Sequence, residues 1–145
     1  MWSRYVALMV VASVISGPAL ARETEYFFDV QSAVTSPRAA KVLHDIPFFM
    51  KGQEGAPVAT RVINITTFER PVQGIFRGDK KTCDYAFLSS LAALQESAKA
   101  DGGDTILNIV SSTRGKTTES PTQYRCIAGA TIAYVALTGE VVTTQ

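Results

Sequence analysis

Thr82-Cys83-Asp84-Tyr85-Ala86-Phe87-Leu88-Ser89-Ser90-Leu91-Ala92-Ala93-Leu94-Gln95-Glu96-Ser97-Ala98-Lys99 is the stretch on which the fold turns. Cys83, Phe87, Leu91, Leu94 and Ala98 follow one another at steps of four, four, three and four, which puts their side chains on one face of an α-helix. The spacing predicts a helix with its apolar stripe against a core and Cys83 pointing inward at its start. Asp101-Gly102-Gly103 stops it, since glycine takes up the left-handed conformation that ends helices. Asp79 is a plausible cap, and Lys80-Lys81 sit unfavourably against the positive helix end.

Outward from this helix, the other cysteine of the chain, Cys126, falls in a β-type run from Tyr124 to Leu137. With no bulge, Tyr124, Cys126, Ala128, Ala130 and Ile132 alternate onto one face of it. The small Ala128-Gly129-Ala130 would let the helix approach closely enough for a Cys83–Cys126 disulfide, whose reach is short. A redox-active pair is the rival reading, but no Cys-x-x-Cys is present to depress a thiol pKa. The structural bond is therefore expected.

An oxidising compartment is implied by the N-terminus. Met1-Trp2-Ser3-Arg4 carries one positive charge, Tyr5 to Ile15 is almost wholly apolar, and Ser16-Gly17-Pro18 precedes Ala19-Leu20-Ala21. This is the layout of a secretory signal peptide over residues 1–21, too short for a permanent span, with a mature chain from Arg22. A retained anchor is the lesser alternative, and two cysteines in an exported chain pair by default. Removing 21 of 145 residues leaves 124, the size of one domain, 22–145, with a single core. Arg4 is the one charge removed, so 13 basic residues face 13 acidic ones. A nucleic-acid binder would show a basic face. Here Arg77 with Lys80-Lys81 is the one small basic cluster, read as a solvated loop.

Elsewhere Arg22 to Glu25 reads as frayed and Tyr26 to Val30 as a strand or docked arm. Ser36-Pro37 starts a short N-terminal helix, serine capping and proline fitting its first turn. Ile46 to Lys51 and Ala59 to Phe68 read as a β-hairpin with a loose Gly- and Pro-containing loop. Pro71 to Gly78 is a loop. Thr105 to Ser111 is a buried strand, Thr113 to Thr122 a polar turn, and Glu140 to Gln145 an edge stretch or frayed end. The fold class expected is α+β, with a mixed or antiparallel sheet of about four strands and the main helix packed across it.

Cys83-x-x-Ala86-Phe87-Leu88-Ser89-x-Leu91, Leu94-Gln95-Glu96, Gly102 with Asn108-Ile109-Val110-Ser111, and Tyr124-x-Cys126-x-Ala128-Gly129-Ala130 before Val135-Ala136-Leu137-x-Gly139 resemble short exported proteins of Gram-negative bacteria. Members are often labelled an excinuclease ATPase subunit, and their function is unsettled. The second half also resembles, more weakly, the disulfide-bonded lipoprotein that senses envelope stress for the Rcs phosphorelay, and the YbjQ-type domains. The resemblance implies an envelope or stress-responsive role. The ATPase label itself fails on chemistry. Arg114-Gly115-Lys116-Thr117 ends like a phosphate-cradling loop, but the glycine needed five positions earlier is Val110.

Other candidate chemistry is thin. His44, the only histidine, lacks a Gly-x-Ser-x-Gly elbow and reads as a helix-end residue. It leaves too few nitrogen and sulfur ligands for a metal, and Asp101-Gly102-Gly103-Asp104 lacks calcium-loop spacing. Glu96 is expected to pair with Lys99 on the helix surface. Asn108 interrupts an apolar strand and must hydrogen-bond to something specific; with Tyr124 it is a candidate binding residue. The reading is a non-enzymatic periplasmic protein with no cofactor, contacting an envelope protein or cell-wall component. The alternatives are a small-molecule or stress-responsive module like the YbjQ-type domains and, last, a hydrolase built on His44.

Overall fold

The structure, a computed structural model, describes residues 22–75 and 77–145; residues 1–21, the expected signal peptide, lie outside them. In chain order it runs β1 (Glu23–Asp29), α1 (Val30–Val34), α2 (Pro37–Val42), β2 (Phe48–Met50), β3 (Arg61–Gln73), α3 (Asp79–Asp101), β4 (Thr105–Ser111), a single 3₁₀ turn at Thr113–Gly115, β5 (Gln123–Gly129) and β6 (Ile132–Thr143). The class is α+β, as expected, but one sheet of six strands replaces the expected four or so. No described helix is long and apolar enough to cross a membrane.

β6 is the spine of the sheet. β3 pairs antiparallel along its whole length, from Arg61↔Thr143 to Gln73↔Ile132. The other side of β6 is shared: β5 pairs with its first residues and β4 with its second half. β1 flanks β5 antiparallel, and β2 flanks β4 in parallel, so the sheet is mixed.

Five expectations fail here. Glu140–Thr143, expected at an edge or frayed, ends β6 between β3 and β4. The Ile46–Lys51 and Ala59–Phe68 segments do not form a hairpin, because each finds a partner far along the chain: β2 in β4 and β3 in β6. β3 runs on through Pro71 to Gln73, where a loop was expected; proline is tolerated because β3 is an edge strand. The Tyr124–Leu137 run is two strands joined at Ala130-Thr131, so Tyr124, Cys126 and Ala128 share a face but Ala130 and Ile132 do not continue it. Finally, Glu23–Glu25 is not frayed. It is paired with Ile127–Gly129.

α3 lies across the inner sheet face and buries Cys83, Phe87, Leu91, Leu94 and Ala98 against β6, β3 and β5. The predicted stripe is the buried stripe. Gly102 ends the helix at φ 77°, with its N–H and that of Gly103 closing onto the last carbonyls. Gly139 of β6 lies under the helix, where an added Cβ would stand 2.8 Å from Ile106 and 3.4 Å from Leu94. Two buried polar side chains lock the packing. Ser90 accepts from the Arg70 amide (3.2 Å) and donates to the Val135 carbonyl (2.7 Å), bridging β3 and β6 from the helix. Gln95 donates to the His44 and Ile46 carbonyls and accepts from the His44 amide, fastening the segment after α2. Both helix starts near the N-terminus are capped as their sequences dictate, α1 by Asp29 and α2 by Ser36.

Candidate functional site

Cys83 and Cys126 are bonded, with Cα atoms 5.9 Å apart, and join the first turn of α3 to β5. Beside the bond, Phe87 stacks on Tyr124 at 4.4 Å between ring centroids. Tyr124 is fully buried, and its hydroxyl donates to Asp84. Burial and the Asp84 carboxylate push its pKa far up. A neutral phenol packed this way reaches no solvent, so Tyr124 belongs to the framework of the helix clamp.

Asp79 is not the cap; Gly78 holds that position, and no side chain caps α3. Instead Asp79 accepts two hydrogen bonds from Arg22 (2.8 and 3.1 Å) and one from the Tyr26 hydroxyl (2.7 Å). Arg22 also donates to the Gly129 carbonyl at 2.7 Å. The cluster ties the start of the described chain to α3 and to the β5–β6 turn. The bonds from Arg22, then Tyr26, hold the Asp79 carboxyl down at about 2 from 3.8. A folded-state pKa below the unfolded one adds stability above about pH 4, and that stability is lost as pH falls toward 2. Asp79→Asn should therefore lower the urea midpoint at pH 6, and the gap from the parent should close by pH 2. A gap unchanged across that range would refute the ion pair as its source.

His44 lies just beyond α2, and its Nε2 is 3.2 Å from Glu96 Oε1. Glu96 therefore pairs with His44, while the expected Lys99 pair is absent among the described residues. No hydroxyl hydrogen-bonds the His44 ring among the described residues. Nor do the described residues group three metal-ligating side chains.

Asn108 is the residue for which β4 departs from regularity. It has φ 52°, a left-handed conformation, in mid-strand, and the β4–β6 register shifts between Leu107 and Val110. Asparagine tolerates this better than most side chains. The bulge turns its amide onto the outer sheet face, where Nδ2 donates to Glu140 at 3.0 Å. There Asn108, Glu140, Thr138, Ile65, Val110 and the Lys51–Glu119 ion pair (2.7 Å) line an open trough of about 430 Å³. Ile65 is 62% exposed beside it. The specific hydrogen bond expected of Asn108 exists, but the residue faces outward rather than into the core.

The rest of the outer face is held by groups that sequence reading did not single out. Arg125, 6% exposed, donates to Glu25 at 2.9 Å and to the Thr113 carbonyl at 2.6 Å. Thr113 accepts from the Ala136 amide and donates to the Arg125 carbonyl. Arg114 takes a left-handed conformation, lies over the Tyr134 ring and pairs with Glu23. The signal available was the alternation of Glu23, Glu25 and Phe27 with Thr24, Tyr26 and Phe28, the pattern of a strand with one polar face. No family model, no curated protein and no solved structure matches the chain.

Proposed function

We propose that the chain is a non-enzymatic, exported envelope protein that works by contact with a protein or cell-wall partner, and that the outer-face trough is the contact surface. The observation that carries this reading is the Asn108 bulge. A strand that gives up ladder pairing to hold a non-glycine residue left-handed points to a use for the exposed side chain. The trough offers an amide, a carboxylate, hydroxyls and an exposed isoleucine side by side, the mixture of polar rim and apolar contact on which recognition surfaces draw. The disulfide suits an oxidising compartment, and the helix clamp keeps the sheet behind the trough rigid. Because the trough is open, contact with a large partner fits it better than enclosure of a metabolite. The runner-up, a small-molecule or stress-responsive module of the YbjQ type, would use the same residues.

The test is binding of the disulfide-bonded protein to purified cell-wall sacculi and to solubilised envelope proteins. Asn108→Gly with Ile65→Asp should reduce capture about tenfold, and His44→Ala should leave it unchanged. Saturable stabilisation by a small metabolite, lost in the Asn108 variant, would move the assignment to the runner-up. Turnover of an ester or amide abolished by His44→Ala would overturn both. The same position yields a stability prediction. Asn108→Gly keeps the backbone conformation and should shift the denaturation free energy by no more than about 1 kcal/mol, whereas Asn108→Val should cost about 2 kcal/mol or more.

A further inference from the structure

Six ion pairs in the described residues match each participating cation to an acid: Arg22–Asp79, His44–Glu96, Lys51–Glu119, Lys80–Asp84, Arg114–Glu23 and Arg125–Glu25. Of the 13 lysines and arginines among the described residues, eight have no acid within ion-pair distance, and three of those eight lie around one ring. Around Tyr85, one turn into α3, the Arg38 guanidinium carbon lies 4.5 Å from the ring centroid, that of Arg77 5.0 Å, and Lys81 Nζ 5.9 Å. Arg38 comes from α2, Arg77 from the loop before α3, and Lys81 from its first turn. All three are exposed, and none has a carboxylate within ion-pair distance among the described residues. Arg77 spends one donor on the Gln73 carbonyl.

The acids nearest in sequence are already engaged. Asp84 accepts from Lys80 at 2.7 Å and from the Tyr124 hydroxyl, and Asp79 is held by Arg22 and Tyr26. Ser36, Pro37, Arg38, Lys81, Asp84 and Tyr85 line an indentation of about 250 Å³ at this place, while Arg77 reaches the Tyr85 ring from outside that lining. Like charges drawn from three segments onto one ring repel one another, and the ring face offsets this only in part. The three leave a net positive patch that a bound anion would offset.

We infer that Arg38, Arg77 and Lys81, gathered on Tyr85, form a binding site for a phosphate-bearing anion. Two guanidinium forks suit a tetrahedral oxyanion that can accept paired hydrogen bonds, and the lysine adds a point charge. The site lies on the helix side of the sheet and is independent of the Asn108 trough. The disulfide sets its geometry, since Cys83 lies between Lys81 and Tyr85 in the same turn and cannot swing away from β5.

The experiment uses the disulfide-bonded protein in two arms. In the first, inorganic phosphate is titrated while NMR follows the Arg38 and Arg77 side-chain N–H groups and the Tyr85 ring, with acetate at matched ionic strength as control. In the second, the protein is sedimented with phosphatidylglycerol–phosphatidylcholine vesicles and with phosphatidylcholine vesicles. Saturable phosphate shifts assign a soluble phosphate ligand; sedimentation with the anionic vesicles alone assigns a lipid headgroup. In whichever arm binds, Arg38→Gln/Arg77→Gln/Lys81→Gln should weaken it about tenfold or more, and Arg61→Gln/Lys99→Gln/Lys116→Gln should not. Arg38→Lys/Arg77→Lys, which keeps the charge and removes the forks, should weaken binding severalfold with the thermal midpoint unchanged. Equal shifts with acetate, equal weakening by the two triple variants, or no binding in either arm would overturn the proposal.

Discussion

Replacing Cys83 and Cys126 together with alanine is expected to lower the unfolding free energy by about 4 kcal/mol, the chain-entropy value for a loop of this size. The sequence separation is 43 residues, and the bond ties the first turn of α3 to a strand that neither precedes nor follows it directly. Without it, the helix start is held to the sheet by Phe87–Tyr124 packing, the Asp84 hydrogen bond and the bonds of Arg22 and Tyr26 to Asp79. For a domain of this length the thermal midpoint should fall by about 15 °C. Comparing denaturant midpoints of the oxidised protein, the reduced protein and the double variant checks this. Reduced and double-alanine forms should agree to within the small cost of the two lost sulfurs. A loss below about 1 kcal/mol would mean that the unfolded chain already keeps the two segments together.

Phe87→Ala is expected to cost about 3–5 kcal/mol, the range for deleting a buried aromatic that its surroundings cannot replace. Phe87 is fully buried and stacked on the Tyr124 ring, and the backbone there is fixed by the bond one helical turn earlier. The site therefore has little freedom to collapse into the cavity. Phe87→Leu, which fills much of the volume, should cost less than half as much. Tyr124→Phe provides the contrast. It preserves the stack but strips Asp84 of the Tyr124 hydrogen bond, a loss of about 1–3 kcal/mol. Urea denaturation of the three variants should rank them Phe87→Ala, Tyr124→Phe or Phe87→Leu, then the parent. A Phe87→Ala protein as stable as Phe87→Leu would show that the core relaxes around the gap.

What was legible in the chain follows from what each signal encodes. α3 could be read from Cys83 to its glycine stop, though not its cap, because a 3.6-residue period and a glycine stop are local statements, true of Cys83–Ala98 whatever packs above them. β4 and β5 were legible as strands for the same reason. Pairing was not. Phe48–Met50 announces an extended conformation but carries no label for β4, and β3 carries none for β6; tertiary packing decides both. The turn at Ala130-Thr131 was hidden because small apolar residues continue an apolar run without a polar break. Asn108 was legible as an oddity, its backbone conformation and outward aim were not. Arg77 and Lys81 stood out as basic neighbours, while Arg38, 39 positions before Arg77, could join them only through the fold.

The place of β6 in the sheet bears on how the molecule comes into being. Ribosomes deliver chains from the amino end, so the strand to which β3, β4 and β5 all pair is the last to be made. Until Ile132–Thr143 arrives, β3 has no neighbour at all, and β4 and β5 have only β2 and β1 beside them. A nascent or prematurely ended chain is thus a set of unpaired apolar ribbons, and sheet assembly is deferred to a single late event. Deleting Ile132–Thr143 should abolish a folded state rather than trim an edge, a dependence on the last-made of the six strands seldom demanded by sheets whose strands pair in the order they are synthesised.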